Sequence, residues 1–489
     1  MLKSISQFIK TLNDNEIVYC HWKSNEHLSE ALDGDTDLDI LFDYTQRNKL
    51  EKVFAECNLK RFRSTPLMQY NGIEDFIGFD KETAKIWHVH THYRMTLGEK
   101  HLKGYTVNSW SSYLLERRIK DNSGIYVSNP HDEFVLLICR IALKLRWRDI
   151  GHKLGQDDIK EINWLKNNVS DDQMQESIQL FLGEKPSNVF NQMIQKQLKK
   201  KWQFRKLQKS LRKELKYFTS YNKITSWWRR TRREIFWFFG GIKRRLHLSN
   251  YSANRRISPS SGLVVAVLGS DGAGKSTTIN YLQKEFGKKI DVVSVYLGSG
   301  DGSSSLFRKP MKIVAKKVGG KGVGHSVEKE LNEKKKVSFK SRMYNLAKII
   351  WAISLAKEKK TKLKKITKAR NNGLLVITDR YPQTSFPGAS DGPLLAKYLS
   401  KKGLLKKIAT WEKNIYYSFS INQPDLAVKL VVPPEIAIER KPEMTLEEIN
   451  NKKNIILNAN ISNNVAIIDT SRPFQTTIGE VMEAIWNLI

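Results

Sequence analysis

The chain has 489 residues, 40% of them hydrophobic, and this length predicts about three domains rather than one hydrophobic core. Its three cysteines, Cys20, Cys57 and Cys139, show no paired spacing, which excludes a disulfide framework. With no apolar leader after Met1, they predict a cytoplasmic protein. The apolar runs are all shorter than about 18 residues, which excludes a membrane-spanning helix. The net charge of +33 indicates phosphate-rich partners, such as nucleotides, nucleic acid or anionic lipid.

The first predicted elements are two strands near the amino terminus. Residues 17–20 predict a strand, residues 21–25 a loop, and residues 34–42 a second strand. Because alternate residues of a strand share a face, Asp37 and Asp39 lie on the same side. Two carboxylates one pleat apart suit a catalytic Mg²⁺, especially in metal-assisted nucleotidyl transfer.

This arrangement resembles the nucleotidyltransferase superfamily, in which a Gly-Ser turn precedes an Asp-x-Asp strand and a third acid follows on a later strand. Here Lys23 and Ser24 occupy the turn, so its glycine is absent, and His88 stands where the third acid is expected. The resemblance implies a metal site at Asp37, Asp39 and His88. The site is either altered in its metal chemistry or retained for binding without catalysis.

His88, His90 and His92 alternate along the next predicted strand, so all three line one face. They are candidates for a metal or phosphate patch. Three histidines on one strand are poorly placed for a single tetrahedral ion, which makes His88 with Asp37 and Asp39 the preferred ligand set. Half-buried histidines in strands are also common without any ligand.

A helical region and a basic connector follow. Residues 133–147 predict a mostly buried helix, after which polar helices form an appendage, and residues 198–260 predict the connector. Within it, aromatic side chains from Trp227 and Trp228 to Phe239 stand beside arginines and lysines. This composition suits a helix in a membrane interface. The alternative is a helix whose rings pack between the two globular halves under arginine stems. A nucleic-acid arm is a third interpretation, to which the continuous aromatic run is less suited.

A phosphate-binding loop opens the second half of the chain. Residues 263–277 read LVVAVLGSDGAGKST, an apolar strand that runs directly into a G-x-x-x-x-G-K-S loop and a helix. Glycines in such a loop let backbone N–H groups surround a phosphate, Lys275 neutralises it, and the Ser276 hydroxyl is placed to bind Mg²⁺. The alternative is a glycine loop that matches by chance. The motif predicts ATP and Mg²⁺ as cofactors. The predicted nucleotide site comprises Gly269, Asp271, Gly272, Gly274, Lys275, Ser276 and Thr277.

The carboxy-terminal half alternates strand and helix, which predicts a parallel sheet covered by helices on both faces. The predicted strands are residues 263–268, 292–297, 374–378, 426–432 and 465–468. Between the second and the third lies a predicted substrate-covering element, with a Gly- and Lys-rich stretch at residues 318–325 and a long helix from residue 339 to residue 370.

Asp379 and Arg380 directly follow the third of these strands. The carboxyl edge of an open parallel sheet is where ligands bind. Asp379 can hold a water on Mg²⁺ or orient an acceptor, and Arg380 can bind an acceptor phosphate through two hydrogen bonds. The alternative is a plain salt bridge at the end of the strand.

Three stretches resemble the thymidylate kinase family in their order and spacing: Gly269 to Thr277, Asp379-Arg380-Tyr381, and Pro424 to Arg440. The resemblance covers nearly the whole carboxy-terminal half and implies that Lys275 and Ser276 handle ATP and Mg²⁺. It also implies that Asp271 faces the acceptor nucleotide and that Asp379 and Arg380 serve the metal and the acceptor phosphate.

Two departures from the family limit what the resemblance implies. Residues 385–394 replace the Ala-Tyr-Gln that follows the Asp-Arg-Tyr strand in the family, so thymidine specificity is not implied. The family supplies arginines to the migrating phosphoryl group from its loop or its lid. Here the loop position is Gly272, and Arg440 is the best candidate from the lid. The alternative is that Arg440 only caps a helix.

The whole chain resembles two-part bacterial proteins that occur among genes for surface polysaccharides. The resemblance implies a P-loop kinase of α/β class joined to an amino-terminal α+β nucleotidyltransferase-like domain with a helical appendage. The predicted domains are residues 1–130, 131–197, 198–260 and 261–489.

The implied function is ATP- and Mg²⁺-dependent phosphoryl transfer to a nucleotide, a sugar or a glycan-linked acceptor, combined with a nucleotidyltransferase-like activity. The alternative is a non-catalytic, nucleotide-binding adaptor at the inner surface of the membrane. The predicted catalytic residues are Lys275, Asp379, Arg380, Arg440, Asp37 and Asp39. The predicted metal ligands are Ser276, Asp379, Asp37, Asp39 and His88.

Overall fold

The computed structural model of the protein describes residues 1–99, 101–245, 251–259, 261–298, 339–442 and 444–489. The chain divides into two compact units, Met1–Leu248 (unit 1) and Ser249–Ile489 (unit 2). The Gly- and Lys-rich stretch predicted at residues 318–325 lies outside the described residues.

Unit 1 is built on a mixed sheet. Its strands are β1 (Tyr19–His21), β2 (Asp37–Phe42), β3 (Lys60–Ser64), β4 (Ile73–Asp80), β5 (Lys85–His92), β8 (Ile119–Lys120) and β9 (Tyr126–Val127), with a separate hairpin of β6 (Thr96–Leu97) and β7 (Tyr105–Thr106). They lie in the order β3-β4-β5-β2-β1-β9-β8. Strands β2 and β5 are parallel, and their register sets Asp37 beside His88 and Asp39 beside His90. The side-chain alternation predicted for these two strands therefore holds.

Three helices and the sheet enclose the first core of unit 1: α1 (Lys3–Asp14), α2 (Leu28–Leu32) and α3 (Arg47–Glu56). Phe8 of α1 and Phe54 of α3 stack on each other, and Phe54 also stacks on Phe76 of β4. Aromatic contacts of this kind add to the free energy gained from burying the rings. This core packs against one face of the sheet. The acidic and histidine side chains lie on the opposite face.

The second core of unit 1 is helical. Its helices are α4 (Asn108–Glu116), α5 (Pro130–Lys144), α6 (Gln156–Asn167), α7 (Asp171–Phe181), α8 (Glu184–Ile194) and α9 (Arg205–Glu214). Helix α5 begins where Pro130 occupies the first turn and the Asn129 side chain accepts a hydrogen bond from the His131 N–H. It is the buried helix predicted at residues 133–147.

The predicted connector differs from the structure at its beginning. Phe204, Leu207 and Leu211 are fully buried in the same hydrophobic core as helices α5 and α8, so this stretch belongs to unit 1. Helix α10 (Lys223–Arg245) follows. Its Trp228 is 61% exposed and its Phe238 is 67% exposed. Among the described residues, no helix combines the length and the apolar composition that crossing a membrane requires.

Unit 2 contains a five-stranded parallel sheet. Its strands are β11 (Leu263–Gly269), β12 (Val292–Tyr296), β13 (Leu375–Asp379), β14 (Leu426–Val431) and β15 (Val465–Asp469), preceded by the short strand β10 (Arg256–Ile257). The order in the sheet is β12-β13-β11-β14-β15, and all neighbouring pairs are parallel. The five strands predicted for this half are present.

Helices surround this sheet: α11 (Lys275–Lys289), α12 (Phe339–Asn371), α13 (Leu404–Ile421), α14 (Pro434–Arg440), α15 (Leu446–Asn458) and α16 (Phe474–Trp486). Val264 and Ala266 of β11 pack in one core with residues of α12 and α13. Val265 and Val267 point to the opposite face and are also buried. Burial on both faces explains why β11 reads as a continuous apolar run. The arrangement brings the ends of β11 and β13 side by side.

Candidate functional site

The loop between β11 and α11 has the backbone that its glycines predict. Gly272 and Gly274 have φ angles of +83° and +81°, in the left-handed region that side-chain-bearing residues avoid. A Cβ atom on Gly272 would also lie 2.7 Å from the Ala437 carbonyl oxygen. The structure thus explains why the loop carries no arginine at position 272. The close backbone turn is suited to surrounding a phosphate with N–H groups.

Lys275 is the first residue of α11, and its side chain folds back onto this loop. Its ammonium group donates a hydrogen bond to the Ser270 carbonyl oxygen at 2.7 Å. Burial, together with the charge of Arg380, lowers the pKa of Lys275 from 10.5 to about 8. The side chains of Ser276 and Thr277 are exposed in the first turn of α11, whose amino-terminal N–H groups favour anions. The loop, the lysine and the helix terminus form an anion site.

Asp379 ends strand β13, level with Val267 of β11. Its Oδ1 atom is buried and has no hydrogen-bond partner among the described residues. Burial raises the pKa of Asp379 above its ordinary value. A buried carboxylate oxygen of this kind is satisfied by a bound cation, and Mg²⁺ prefers oxygen ligands. Asp379 and the exposed hydroxyl of Ser276 therefore fit a Mg²⁺ ion.

Arg380 turns the chain away from β13 with a φ of +67°, an unusual angle for a residue with a side chain. Its guanidinium lies 3.5 Å from Asp271 and 3.5 Å from Asp391. Arg380 therefore forms salt bridges with Asp271 of the phosphate loop and with Asp391 of the loop that follows β13, and not with the adjacent Asp379. Both acids hold Arg380 at the carboxyl edge of the sheet.

Lys452 is a functional candidate that the sequence analysis missed. Its ammonium lies 2.8 Å from Asp271 Oδ2. Burial opposes ionisation of Asp271, but the hydrogen bond and charge of Lys452, with the charges of Lys275 and Arg380, lower its pKa to about 2. Lys452 lies on α15, within the segment after Arg440 that the resemblance assigns to the lid. A search for lysines as well as arginines in that segment would have found it.

Arg440 ends helix α14 and holds the phosphate loop in place. Its guanidinium donates hydrogen bonds to the Gly272 carbonyl oxygen at 3.2 Å and to the Thr470 carbonyl oxygen at 3.1 Å. These bonds give Arg440 a role in positioning the loop. Such a role is closer to the alternative in which Arg440 only caps a helix. Its contact with a migrating phosphoryl group stays a prediction.

The loop after Tyr381 folds around Gln383. Its side-chain amide donates to the Phe386 carbonyl oxygen at 3.0 Å and to the Ala389 carbonyl oxygen at 2.8 Å, and its Oε1 accepts from the Phe386 N–H at 2.7 Å. This fold brings Asp391 to Arg380 and to the buried ammonium of Lys359, 3.5 Å away. The segment that replaces the thymidylate kinase motif thus supplies an acid to the site.

In unit 1, His88 lies between two carboxylates. Its Nδ1 is 3.0 Å from Asp37 Oδ1, and its Nε2 is 2.9 Å from Asp75 Oδ1. Asp75 lies on β4, paired with β5 in the antiparallel register that sets it beside His90. The sequence analysis did not single out Asp75, because its place beside β5 depends on strand order. His88 is therefore fixed between two acids.

Asp39 is surrounded by cationic and imidazole groups. Lys23 Nζ lies 2.8 Å from Asp39 Oδ1, His90 Nδ1 lies 3.0 Å away and His92 Nε2 lies 3.5 Å away. Burial opposes ionisation, but these groups, Lys23 foremost, keep the pKa of Asp39 well below its ordinary value. Among the described residues, the acids and histidines whose ligand atoms converge are Asp39, His90 and His92.

This set differs from the predicted one of Asp37, Asp39 and His88. Two imidazole nitrogens suit zinc or another transition metal better than Mg²⁺. The Lys23 ammonium already supplies positive charge to the carboxylate of Asp39. The residues present therefore do not fit a Mg²⁺ ion in unit 1.

The turn that follows β1 has an unusual backbone conformation at Ser24. Ser24 has a φ of +59°, in the left-handed region. The buried carboxylate of Glu133 accepts hydrogen bonds from the Asn25 N–H at 3.0 Å and from the Asn25 side-chain amide at 2.6 Å. These bonds hold the turn in a conformation that serine seldom adopts.

No protein-family model matches the chain. The chain is 26% identical over 249 residues to the "Uncharacterized ATP-binding protein YghR" of Escherichia coli strain K12, which covers 49% of this chain and 94% of that protein. It is 28% identical over 193 residues to the "Uncharacterized ATP-binding protein YghS" of the same strain, which covers 39% of this chain and 77% of that protein. Both relatives are named as ATP-binding proteins.

Solved structures of two kinases are similar to parts of the chain at low identity. The thymidylate kinase of Candida albicans is 16% identical with a TM-score of 0.28, over 47% of this chain and 91% of that one. The deoxyadenosine kinase of M. mycoides with bound dATP is 18% identical with a TM-score of 0.26, over 46% of this chain and 98% of that one.

Proposed function

We propose that unit 2 is an ATP- and Mg²⁺-dependent phosphotransferase that acts on a nucleotide, a sugar or a glycan-linked acceptor. The observation that carries the proposal is the meeting of three groups at one sheet edge: the Lys275 loop at the end of β11, and Asp379 and Arg380 at the end of β13. The ATP-binding names of the two Escherichia coli relatives support ATP as the nucleotide.

Each residue of the edge has a role in this proposal. The backbone N–H groups of the loop and the Lys275 ammonium bind the phosphates of ATP, and Ser276 and Asp379 hold the metal. Mg²⁺, when bound, neutralises charge on the phosphate oxygens of ATP. In the transfer, the bond from the terminal phosphorus to ADP breaks and a bond to an acceptor oxygen forms. Arg380 gives up its contact with Asp391 and binds the acceptor phosphate instead.

Unit 1 is better suited to binding a ligand than to metal-assisted nucleotidyl transfer, because the Lys23 ammonium and two imidazole rings already contact the Asp39 carboxylate. A role in surface polysaccharide synthesis rests on the resemblance of the whole chain to two-part bacterial proteins. The rival function is a nucleotide-binding adaptor at the membrane that transfers no phosphoryl group.

The test is phosphoryl transfer from ATP to a panel of nucleoside monophosphates, sugars and sugar phosphates. Lys275→Ala should lower transfer by about a hundredfold or more, because it removes a charge from the phosphate cradle. Lys284→Ala, an exposed lysine on the same helix, is the matched control and should keep full activity. Equal activity in the Lys275 variant would end the kinase proposal. ATP binding without transfer to any acceptor would favour the adaptor.

A further inference from the structure

Unit 1 contains a cavity of about 430 Å³. It lies beside the loop that follows β1, the β6–β7 hairpin and helix α5, and all of its lining residues belong to unit 1. This volume is within the range of cavities that bind small molecules.

Five cationic side chains line this cavity: Lys23, Lys103, Arg140, Lys144 and Lys201. The ammonium of Lys23 and the guanidinium of Arg140 lie 5.3 Å and 5.4 Å from the centre of the Trp22 ring. The ammonium of Lys103 lies 5.0 Å from the centre of the Tyr70 ring. These contacts hold the cations in position within reach of one another.

The charges of this cluster are not balanced by the carboxylates around it. Lys23 pairs with Asp39, and Arg140 lies 4.0 Å from Glu161. Lys103 and Lys144 form no ion pair with a described residue. Burial, followed by the charge of Lys23, lowers the pKa of Lys103 from 10.5 to about 7. The folded protein therefore holds like charges together at a cost in stability.

The acidic side chains at the cavity wall do not neutralise these cations, because they pair with other residues or act only from a distance. Glu99 pairs with Arg212 and Arg230 at 2.8 Å each. Asp149 pairs with Arg146 at 2.6 Å. Asp158 acts on Lys144 only through its more distant charge. An anion in the cavity would relieve the repulsion that these acids leave in place.

We infer that this cavity binds a phosphorylated small molecule, held by ammonium and guanidinium groups without a divalent metal. Arginine and lysine together suit phosphate, since arginine binds its oxygens in pairs and lysine adds a point charge. The proposal needs no divalent metal because the lysines and the arginine of the cavity supply the positive charge, and Lys23 already pairs with Asp39. The site would respond to a phosphorylated molecule independently of the reaction in unit 2.

Titration calorimetry on the full chain tests this inference. The chain carries Lys275→Ala, which weakens the phosphate loop of unit 2, and the probe is inorganic pyrophosphate in the presence of EDTA. We expect one site per chain, and an affinity that falls at least tenfold when Lys103→Met or Arg140→Gln is added. Lys49→Met, an exposed lysine on α3, is the matched control and should leave the affinity unchanged.

Four results would overturn the inference. The first is no pyrophosphate binding in the Lys275→Ala chain, and the second is binding that Lys103→Met and Arg140→Gln leave intact while both variants melt like the parent. The third is a requirement for Mg²⁺ or Mn²⁺ in place of EDTA. Glucuronate in place of pyrophosphate should bind at least tenfold more weakly, and tighter glucuronate binding would overturn the assignment to phosphate.

Discussion

Arg380 Nη1 lies 3.5 Å from Asp391 Oδ2, which ties the end of β13 to the loop that follows it. The other oxygen of Asp391 lies 3.5 Å from the ammonium of Lys359, a side chain that is only 1% exposed. Burial lowers the pKa of Lys359, and the charge of Asp391 opposes this shift. Asp391 thus compensates a buried lysine while it positions the arginine that is proposed to bind the acceptor.

Asp391→Asn should lower the free energy of unfolding by about 3 kcal/mol, because it leaves the buried Lys359 ammonium without a negative partner. Urea denaturation measures this difference. The double variant Asp391→Asn with Lys359→Met should recover part of the loss, since the unpaired charge is then absent. If the single and double variants are equally unstable, the pair does not stabilise the loop in this way.

Asp379→Asn should lower turnover at least tenfold and leave ATP affinity within a factor of about three, because Asp379 is proposed to hold the metal and not the phosphate loop. Steady-state kinetics and ATP titrations measure the two effects. The matched control is Asp469→Asn, at the carboxyl end of β15 and two strands away from β11. It should leave turnover and ATP affinity unchanged. Loss of ATP binding in the Asp379 variant would contradict the assigned role.

The stability of unit 1 should depend on pH through Glu133. Burial raises the pKa of Glu133 from 4.5 to about 7. The folded state therefore keeps a proton that the unfolded chain releases, so the contribution of Glu133 is complete below pH 4.5 and is lost as the pH rises through about 7.

Glu133→Gln removes this titration, so thermal denaturation of the variant should change less between pH 4.5 and pH 7 than that of the parent. Glu116→Gln replaces an exposed glutamate at the end of α4 and should leave the slope of the parent unchanged. The assignment fails if the Glu133 variant retains the pH dependence of the parent.

Helix α10 should bind anionic vesicles if its exposed rings enter a lipid headgroup layer. Each lysine or arginine near the membrane surface should add about 1 kcal/mol to the free energy of binding. This electrostatic contribution should weaken as the salt concentration rises. Joint replacement of Trp227, Trp228 and Trp237 by serine should lower binding in a vesicle sedimentation assay, and the protein should stay folded.

The matched control for this experiment is Trp202→Ser, an exposed tryptophan outside α10 that should have no effect on vesicle binding. If the parent protein binds no vesicles and the triple variant melts at a lower temperature, the rings have a packing role, and the membrane prediction is wrong.

The amino-acid sequence by itself determined the local features of both units. The phosphate loop can be recognised in the sequence because one short motif contains Lys275 together with Gly272 and Gly274, which adopt the left-handed backbone conformation. The shared face of Asp37 and Asp39 follows from the alternation of a strand, which depends only on neighbouring residues. The central strands β11 and β13 of unit 2 can be recognised in the sequence because burial on both faces requires continuous apolar runs.

The tertiary structure alone decided which distant residues complete these features. Asp271 meets Lys452 across 181 positions of the chain, and His88 meets Asp75 because β4 lies beside β5. The cationic cavity of unit 1 gathers Lys23, Lys103 and Arg140 from a loop, a hairpin and a helix. Local periodicity fixes the face on which a side chain lies, but strand order and helix packing determine which other side chains it meets. These depend on burial over the whole unit, and no short stretch of sequence carries that information.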